Sequence, residues 1–274
     1  MQRLRRVIRS AHVRFLARAL PKKLAIYFHE FERGKWGEFE KCVRHFQDHG
    51  YSSASAEEFA SDTSGRRLLF ISFDDNIAGW HAALPVIDRL GISVTCFTNT
   101  LPIRGDCRRE DLAEFMRRID YRGGDSTLTR AQIKEIAEGG HTIGCHSHSH
   151  HPLVQLSEAR WHSEIVVSKH VLEDLLEREV VDFSYPYGMR RFFSGRLRKY
   201  CVSAGFRTIS TGIPGLQIKN EVNPLEIHRT RWRLDRCLDE NLEDLAVDGR
   251  IFERITGRSR IGCGVLPLYL PSIF

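Results

Sequence analysis

The sequence predicts an α/β domain: a parallel sheet wrapped into a barrel, with helices packed outside it. Short apolar runs alternate with stretches of helical periodicity, the pattern of strand–helix–strand units. About six or seven such units follow one another, enough to close a barrel rather than leave a small open sheet. The third observation is positional. Acids, histidines and a Pro-Tyr-Gly turn stand just past the apolar runs, and functional residues gather at the C-terminal ends of parallel barrel strands.

In chain order, residues 24–28 (LAIYF) read as the first buried strand. Trp36, Phe39, Val43 and Phe46 then recur at helical spacing up to a stop at Gly50. Residues 68–73 (LLFISF) form the next buried strand. Trp80, Leu84, Ile87 and Leu90 make one helical stripe ended by Gly91, and residues 92–97 (ISVTCF) a further strand. Residues 98–128 read as a long loop with a short helix near 111–119, and an insertion of this size often sits beside a site. Thr129, with Gln132 three residues on, is a capping-box signature for a helix ending at Gly139-Gly140. Residues 141–145 are strand-like, and Ser157 is placed to cap a long helix with Trp161, Ile165, Leu172 and Leu175 inward. A strand at 182–185, a helix at 194–204 and a strand at 205–209 complete the alternation.

A chain of 274 residues can hold one large α/β domain with a full core, and 42% hydrophobic with 28% charged residues is ordinary for a soluble enzyme. The charge is unevenly placed. Residues 1–23 carry eight basic side chains and no acid, which leaves 33 Lys and Arg against 35 Asp and Glu in the remainder. The basic excess thus belongs to the N-terminal segment, which argues against a nucleic-acid-binding fold. Leu4, Ile8, Ala11 and Phe15 recur at helical spacing among the arginines. Such a basic amphipathic helix suits peripheral contact with an anionic membrane, each nearby Lys or Arg contributing about 1 kcal/mol. The competing reading is a solvated helix packed on the domain. No apolar run follows the arginines as a secretory leader needs, and no stretch has the length of a spanning helix. Seven scattered cysteines without a CxxC pair suggest reduced thiols and a cytoplasmic location, with Cys96 and Cys145 as small core residues.

Asp74 and Asp75 end the run LLFISF, a sharp break in an apolar pattern. Adjacent strand residues point in different directions, so one acid can bind a cation while the other, kept ionised by it, acts as a base. The plainer alternative is a helix N-cap before Trp80, which needs only one acid. Five of the 13 histidines fall between His141 and His151, again just past a strand-like run. Two histidines at i, i+4 share a face if the segment turns helically, and two histidines with one carboxylate make the open ligand set of a catalytic zinc site. Surface histidines are the competing reading. Residues 183–188 (FSYPYG) end another strand, and a Pro-Tyr-Gly turn can aim a backbone N–H at an oxyanion. His29 closes the first strand and, in a barrel, reaches the same rim as a candidate general acid.

In this order the features resemble the polysaccharide deacetylase family of carbohydrate esterases. Ile71-Ser72-Phe73-Asp74-Asp75-Asn76 resembles the family's first motif, which implies Asp74 as base and Asp75 as metal ligand. His146-Ser147-His148-Ser149-His150 resembles the second, implying His146 and His150 as the other ligands. Phe183–Gly188 resembles the third, whose Pro-Tyr step implies the Tyr187 N–H as oxyanion donor, with Pro186, Tyr185 and Asn76 expected on the substrate side. Tyr27-Phe28-His29, then a helix and Gly50-Tyr51, resembles the circularly permuted exopolysaccharide deacetylases, in which the acid histidine comes from the N-terminal strand. The implied fold is a distorted (β/α)7-type barrel in a single domain, residues 24–235, flanked by the basic segment 1–23 and an extension 236–274 that packs on it. Residues 261–274 read as an apolar tail against the domain or a partner.

The sequence departs from the family's usual pattern in three respects, one of which, the arginine absent at Ser184, is also expected of the permuted branch, and it offers one rival acid. Asn76 replaces the usual Gly; Ser184 stands where many members carry an arginine that orients the base; no Asp-x-x-Asp-Trp motif follows; and His228 is a rival acid if the chain is not permuted. The implied activity is metal-dependent removal of an N-acetyl group from an amino sugar, in a polysaccharide, an oligosaccharide or a lipid- or nucleotide-linked glycan, with release of acetate. Zn2+ is the expected ion, Co2+ or Ni2+ the substitutes, and an N-acetylated glycan or glycolipid the expected partner. The alternatives are hydrolysis of another non-peptide C–N amide bond and a catalytically silent carbohydrate-binding relative.

Overall fold

A computed structural model describes residues 20–29, 31, 33–121, 126–214, 221–242 and 245. Its strands are β1 (Lys23–Phe28), β2 (Tyr51–Ala54), β3 (Arg67–Asp74), β4 (Thr95–Thr98), β5 (Thr142–Cys145), β6 (Asp182–Ser184), β7 (Thr208–Thr211), β8 (Ile227–His228) and β9 (Thr230–Arg231). All pair in parallel, in the order β8-β7-β6-β5-β4-β3-β1-β9, with β2 also on β3. Only Arg229 separates β8, which pairs with β7, from β9, which pairs with β1. Residues 227–231 therefore act as one closing strand, and the predicted single-domain barrel is formed. β2 takes the N-terminal half of the β3 edge and β4 the C-terminal half, since Tyr51 faces Arg67 while Phe97 faces Asp74.

Register fixes which side chains share a face. Tyr27 pairs with Ser72, Ser72 with Thr95, Asp74 with Phe97, Phe97 with Gly144, and Tyr27 with Arg231. These residues line the lumen, and their strand neighbours point out to the helices. The hydrophobic core is split accordingly. One cluster, with Ala25, Leu68, Phe70, Phe97 and Ile227, fills the lower lumen and is plugged by Phe59. The larger one lies between the outer strand faces and the helices, with Phe28, Phe31, Phe39 and Phe73 in mutual ring contact at 4.6–6.5 Å. Phe97 explains Gly144, where any Cβ would stand 2.5 Å from the Phe97 ring. With the lower lumen apolar, the polar lining is confined to the upper rim.

The outer layer departs from expectation in a few places. The Trp80–Leu90 stripe is two short helices, Gly79–Ala82 and Leu84–Arg89, because Pro85 fits only the first turn of a new helix. The helix beginning at Glu158 passes through a π-helical turn, His162–Val167, before continuing as Ser168–Leu176, and Ser157 makes no side-chain cap. All four of its predicted inward residues are buried. Thr129 and Gln132 form the full capping box on Arg130–Glu138. Neither β2 with its following helix Ala56–Ser61 nor β8 and β9 was anticipated, because strands of two to four residues carry too little periodicity.

Lys23, counted with the basic segment, opens β1. It is buried over Phe59 with Nζ donating to Asp62 O. Residues 1–19 and 246–274, including the expected amphipathic helix, Cys263 and the apolar tail, lie outside the described residues. Of the extension, Leu238, Leu242 and Leu245 pack on the outer core. The six described cysteines form no disulfide, and no described helix is long and apolar enough to cross a membrane.

Candidate active site

The site is built where β3, β4 and β5 end side by side. Asp74 is the last residue of β3 and points into the lumen. The chain then turns through two left-handed residues, Asp75 (φ 86°) and Asn76 (φ 57°), which sends the Asp75 side chain away from Asp74. Asn tolerates this conformation better than most residues, so it can stand where the family carries Gly. Neither acid caps the following helix, whose N-cap Ala78 has no side-chain bond. Asn76 Nδ2 donates to Asn99 O at 2.9 Å, and Asn99 Nδ2 donates to His146 O at 2.5 Å. The two amides stitch three strand ends together. Asn76 is fully buried in this role, beneath the surface a substrate would touch.

Asp75 Oδ1 lies 3.2 Å from His146 Nε2 and 3.1 Å from His150 Nε2. All three residues are buried, and together they are the one group among the described residues arranged to hold a metal ion. The segment 146–150 is not helical. It bends at Ser147 (φ 66°) and His150 (φ 58°), and Ser147 Oγ accepts the His150 N–H at 3.2 Å. Ser149 is anchored through N and Oγ to buried Glu164, which the π-helical turn presents, at 2.9 and 2.5 Å. His146 Nδ1 lies 2.7 Å from Ser184 O, an obligate acceptor, so the ring proton sits on Nδ1 and Nε2 offers a lone pair. That lone pair faces Asp75 Oδ1, a buried oxygen without a hydrogen-bond partner. Electron pairs converging at this spacing suit a cation, since ligands of a tetrahedral zinc ion stand roughly 3.3 Å apart.

Returning Zn2+ to the metal-stripped chain, a thousandfold above Kd, should therefore raise Tm by on the order of 10 °C. The rise should vanish in His150→Ala; an equal rise in that variant would place the ion elsewhere.

Asp74 is held by a residue that sequence reading did not assign. Arg229, fully buried, donates from Nη1 to Asp74 Oδ1 and from Nη2 to Asp74 Oδ2, both at 2.8 Å. Its other N–H groups go to Ser72 Oγ (2.8 Å), Ser184 Oγ (2.8 Å) and Thr211 O (2.9 Å), so all five donors are used. The guanidinium lies between the faces of Tyr27 and Phe97, at 4.7 and 5.1 Å. Burial works to raise the Asp74 carboxyl, but the charge and hydrogen bonds of Arg229, with His146, hold it below the usual carboxylate range. The arginine missing at position 184 is thus supplied from the closing strand, and Ser184 makes room for it. Residues 227–231 (IHRTR) hold one apolar residue and show no period, so nothing in the sequence marks Arg229 as a strand residue that faces the lumen.

The third motif forms a tight turn. Tyr187 (φ 66°) and Gly188 (φ 57°) are left-handed, and a Cβ on Gly188 would stand 2.5 Å from Gly212 N. Tyr185 is buried, donates from its hydroxyl to Gly188 O at 2.7 Å and stacks on Phe193, so it supports the turn from below. Pro186 is also buried, whereas Tyr187 is 40% exposed, its ring 4.9 Å from that of His150. Among the described residues the Tyr187 N–H has no hydrogen-bond partner.

His29 reaches the same cleft from β1, with Nε2 3.7 Å from Asp75 Oδ2. His228 does not. It pairs in register with Thr211, on the outer face, and its Nδ1 lies 3.1 Å from Thr211 Oγ1. Asp74, Asp75, His29, His146, His150 and Tyr187 line one cleft of about 240 Å3, and Arg118, Ile119 and Asp120 of the predicted insertion form part of its wall.

The pattern of a known family, described as Polysaccharide deacetylase, matches residues 61–209. The chain belongs to the polysaccharide deacetylase family. The matched stretch holds Asp74, Asp75, His146, His150 and Tyr187. His29 and Arg229 lie outside it on opposite sides, yet β1 and the closing strand are neighbours in the ring, as a permuted polysaccharide deacetylase barrel requires. A Bacillus subtilis protein, YxkH, described as a candidate polysaccharide deacetylase, is 24% identical over 200 residues, covering 71% of this chain and 63% of the relative. The chain thus spans less than two thirds of that relative's length. Among solved structures, the Streptococcus pyogenes deacetylase PplD in complex with acetate superposes with TM-score 0.62 at 19% identity, over 81% of this chain and 96% of that one. IcaB from Ammonifex degensii gives 0.63 at 18% identity, over 81% and 96%. These two likenesses show that the barrel fold extends over about four fifths of the chain.

Proposed function

We propose that this member of the polysaccharide deacetylase family is a metal-dependent N-deacetylase acting on an amino sugar of a glycan or glycolipid. One observation carries the reading: the Asp75–His146–His150 set and the separately anchored carboxylate of Asp74 meet in a single cleft. A divalent ion held by those three ligands supplies Lewis-acid polarisation and a more acidic bound water. Asp74, kept ionised by Arg229, accepts a proton from the attacking water. The water oxygen joins the acetyl carbon, and the Tyr187 N–H donates to the oxygen on which charge develops. His29 delivers a proton to the nitrogen as the C–N bond breaks, and acetate and a free amine leave. Tyr187 and Gly188 at the cleft wall support a role for this turn in positioning the acetamide.

The test is acetate release from a panel of N-acetylated oligosaccharides and glycolipids, on metal-stripped chain with and without Zn2+, Co2+ or Ni2+. Release restored by metal is the expected result. Silence across the panel from protein whose Tm still rises with Zn2+ would turn the reading toward another amide.

A further inference from the structure

A second cavity, of about 340 Å3, opens beside the active cleft. His29 and Arg231 line both, so the two cavities adjoin at those residues. Its other wall includes Lys35, Trp232 and the pair Arg233–Asp235. Arg231 shares the lumen face with Tyr27, one step above the catalytic layer, and its side chain is exposed at the mouth.

Among the described residues, the cations lining this cavity outnumber the acids. Asp235 is taken by the Arg233 fork at 2.6 and 3.0 Å. Asp74 is neutralised by Arg229 and Asp75 belongs to the metal set, while Asp120 lines the active cleft and is not part of this cavity's own lining. Arg231 and Lys35 enter no ion pair among the described residues. Lys35 is also the N-cap of the 13-residue helix Trp36–Asp48, which receives no side-chain cap, so the positive end of that helix adds to the same wall. The one acid of its first turn, Glu38, is bound to Lys41 at 2.6 Å. Two cations from different elements and a helix N-terminus call for a dianion rather than a single carboxylate, and a guanidinium fork matches phosphate oxygens in pairs.

We infer that this cavity is a subsite for a phosphate group on the sugar, held by Lys35 and Arg231, so that the enzyme takes glycosyl phosphates or diphosphates in preference to neutral glycans. The inference rests on the deacetylase reading for the sugar beside it, but not for the anion subsite itself. Phosphate on a sugar can belong to a nucleotide or to a lipid carrier; the subsite recognises what the two share.

Equilibrium binding to the full, Zn2+-loaded chain tests it, with N-acetylglucosamine 1-phosphate and the neutral methyl N-acetylglucosaminide as probes. The wild type should bind the phosphate at least tenfold more tightly, and Lys35→Gln/Arg231→Gln should abolish that preference. Neither side chain has an ion-pair partner among the described residues, so the variant should keep its Tm. Equal affinity for both probes in the wild type overturns the inference. So does a preference that survives the substitutions, which would put the phosphate on the metal. A uridine-diphosphate sugar and a farnesyl-phosphate sugar, run in parallel, separate the two carriers by which gains further affinity over the simple phosphate. Acetate release from both probes, followed in the same samples, judges the deacetylase reading on its own. Its failure beside an intact binding preference would sink that reading and leave the subsite standing.

Discussion

Replacing Asp74 by Asn should lower kcat by about 10²–10⁴-fold, the usual contribution of a positioned general base, while the chain keeps its metal. Asn has nearly the shape of Asp, so the side chain remains between Arg229 and the lumen, but it cannot accept a proton from water. Asp74 makes no contact with the metal set recorded in the structure, since the ligand atoms of Asp75, His146 and His150 gather around Asp75 Oδ1. The Zn2+-dependent rise in Tm should therefore match that of the wild type. Asp75→Asn is the informative contrast, because it should lose both the rise and the activity. Wild-type-like turnover in a metal-loaded D74N sample would remove Asp74 from the role of base.

Arg229→Met should cost about 3–5 kcal/mol of stability near neutral pH, the penalty for leaving a buried charge without its partner. The size follows from the count of lost bonds: five donors disappear, and the Asp74 carboxylate keeps only a Ser184 hydroxyl at 3.4 Å. The pH dependence separates this from a packing defect. In the wild type the Asp74 pKa lies below that of an unfolded aspartate, so its contribution is present above the unfolded pKa and is lost as pH falls through the folded value. Without Arg229, burial dominates and the folded pKa rises above the unfolded one. The variant is then penalised at high pH and recovers as the carboxyl protonates. The stability gap, measured by urea unfolding, should narrow as pH falls from 7 toward 4, and the basic form of the enzyme should emerge at higher pH in kcat/KM. A gap of constant size across that range would mean that Arg229 acts through packing alone.

The legible parts of the fold were those in which one element announces itself over several residues. The run at 68–73, the stripe of Phe39, Val43 and Phe46 and the Thr129–Gln132 capping box each depend on neighbours along the chain, and each is found in the structure. The stripe at Trp80–Leu90 was read as one helix because periodicity survives a break, whereas Pro85 and the backbone do not. The resemblance to the family's second motif picks out His146 and His150, but the helical turn that would set an i, i+4 pair on one face is not what the chain adopts. They meet because two left-handed residues fold the segment onto Asp75, a geometry no spacing rule anticipates.

By itself the sequence determined the α/β alternation, the rim that would carry chemistry and the Asp-Asp and His-x-x-x-His sets, because these are written in consecutive residues. Only the tertiary structure decided how the barrel closes and which side chains then face each other. Arg229 is 155 residues from Asp74, in a closing strand too short for any period to show. His29 and His228 are equivalent as letters; the register of β8 turns one outward, while β1 carries the other into the cleft. The physical reason is common to both. Closing a ring of strands fixes the direction of every side chain at once, and that constraint acts across the ring rather than along the chain.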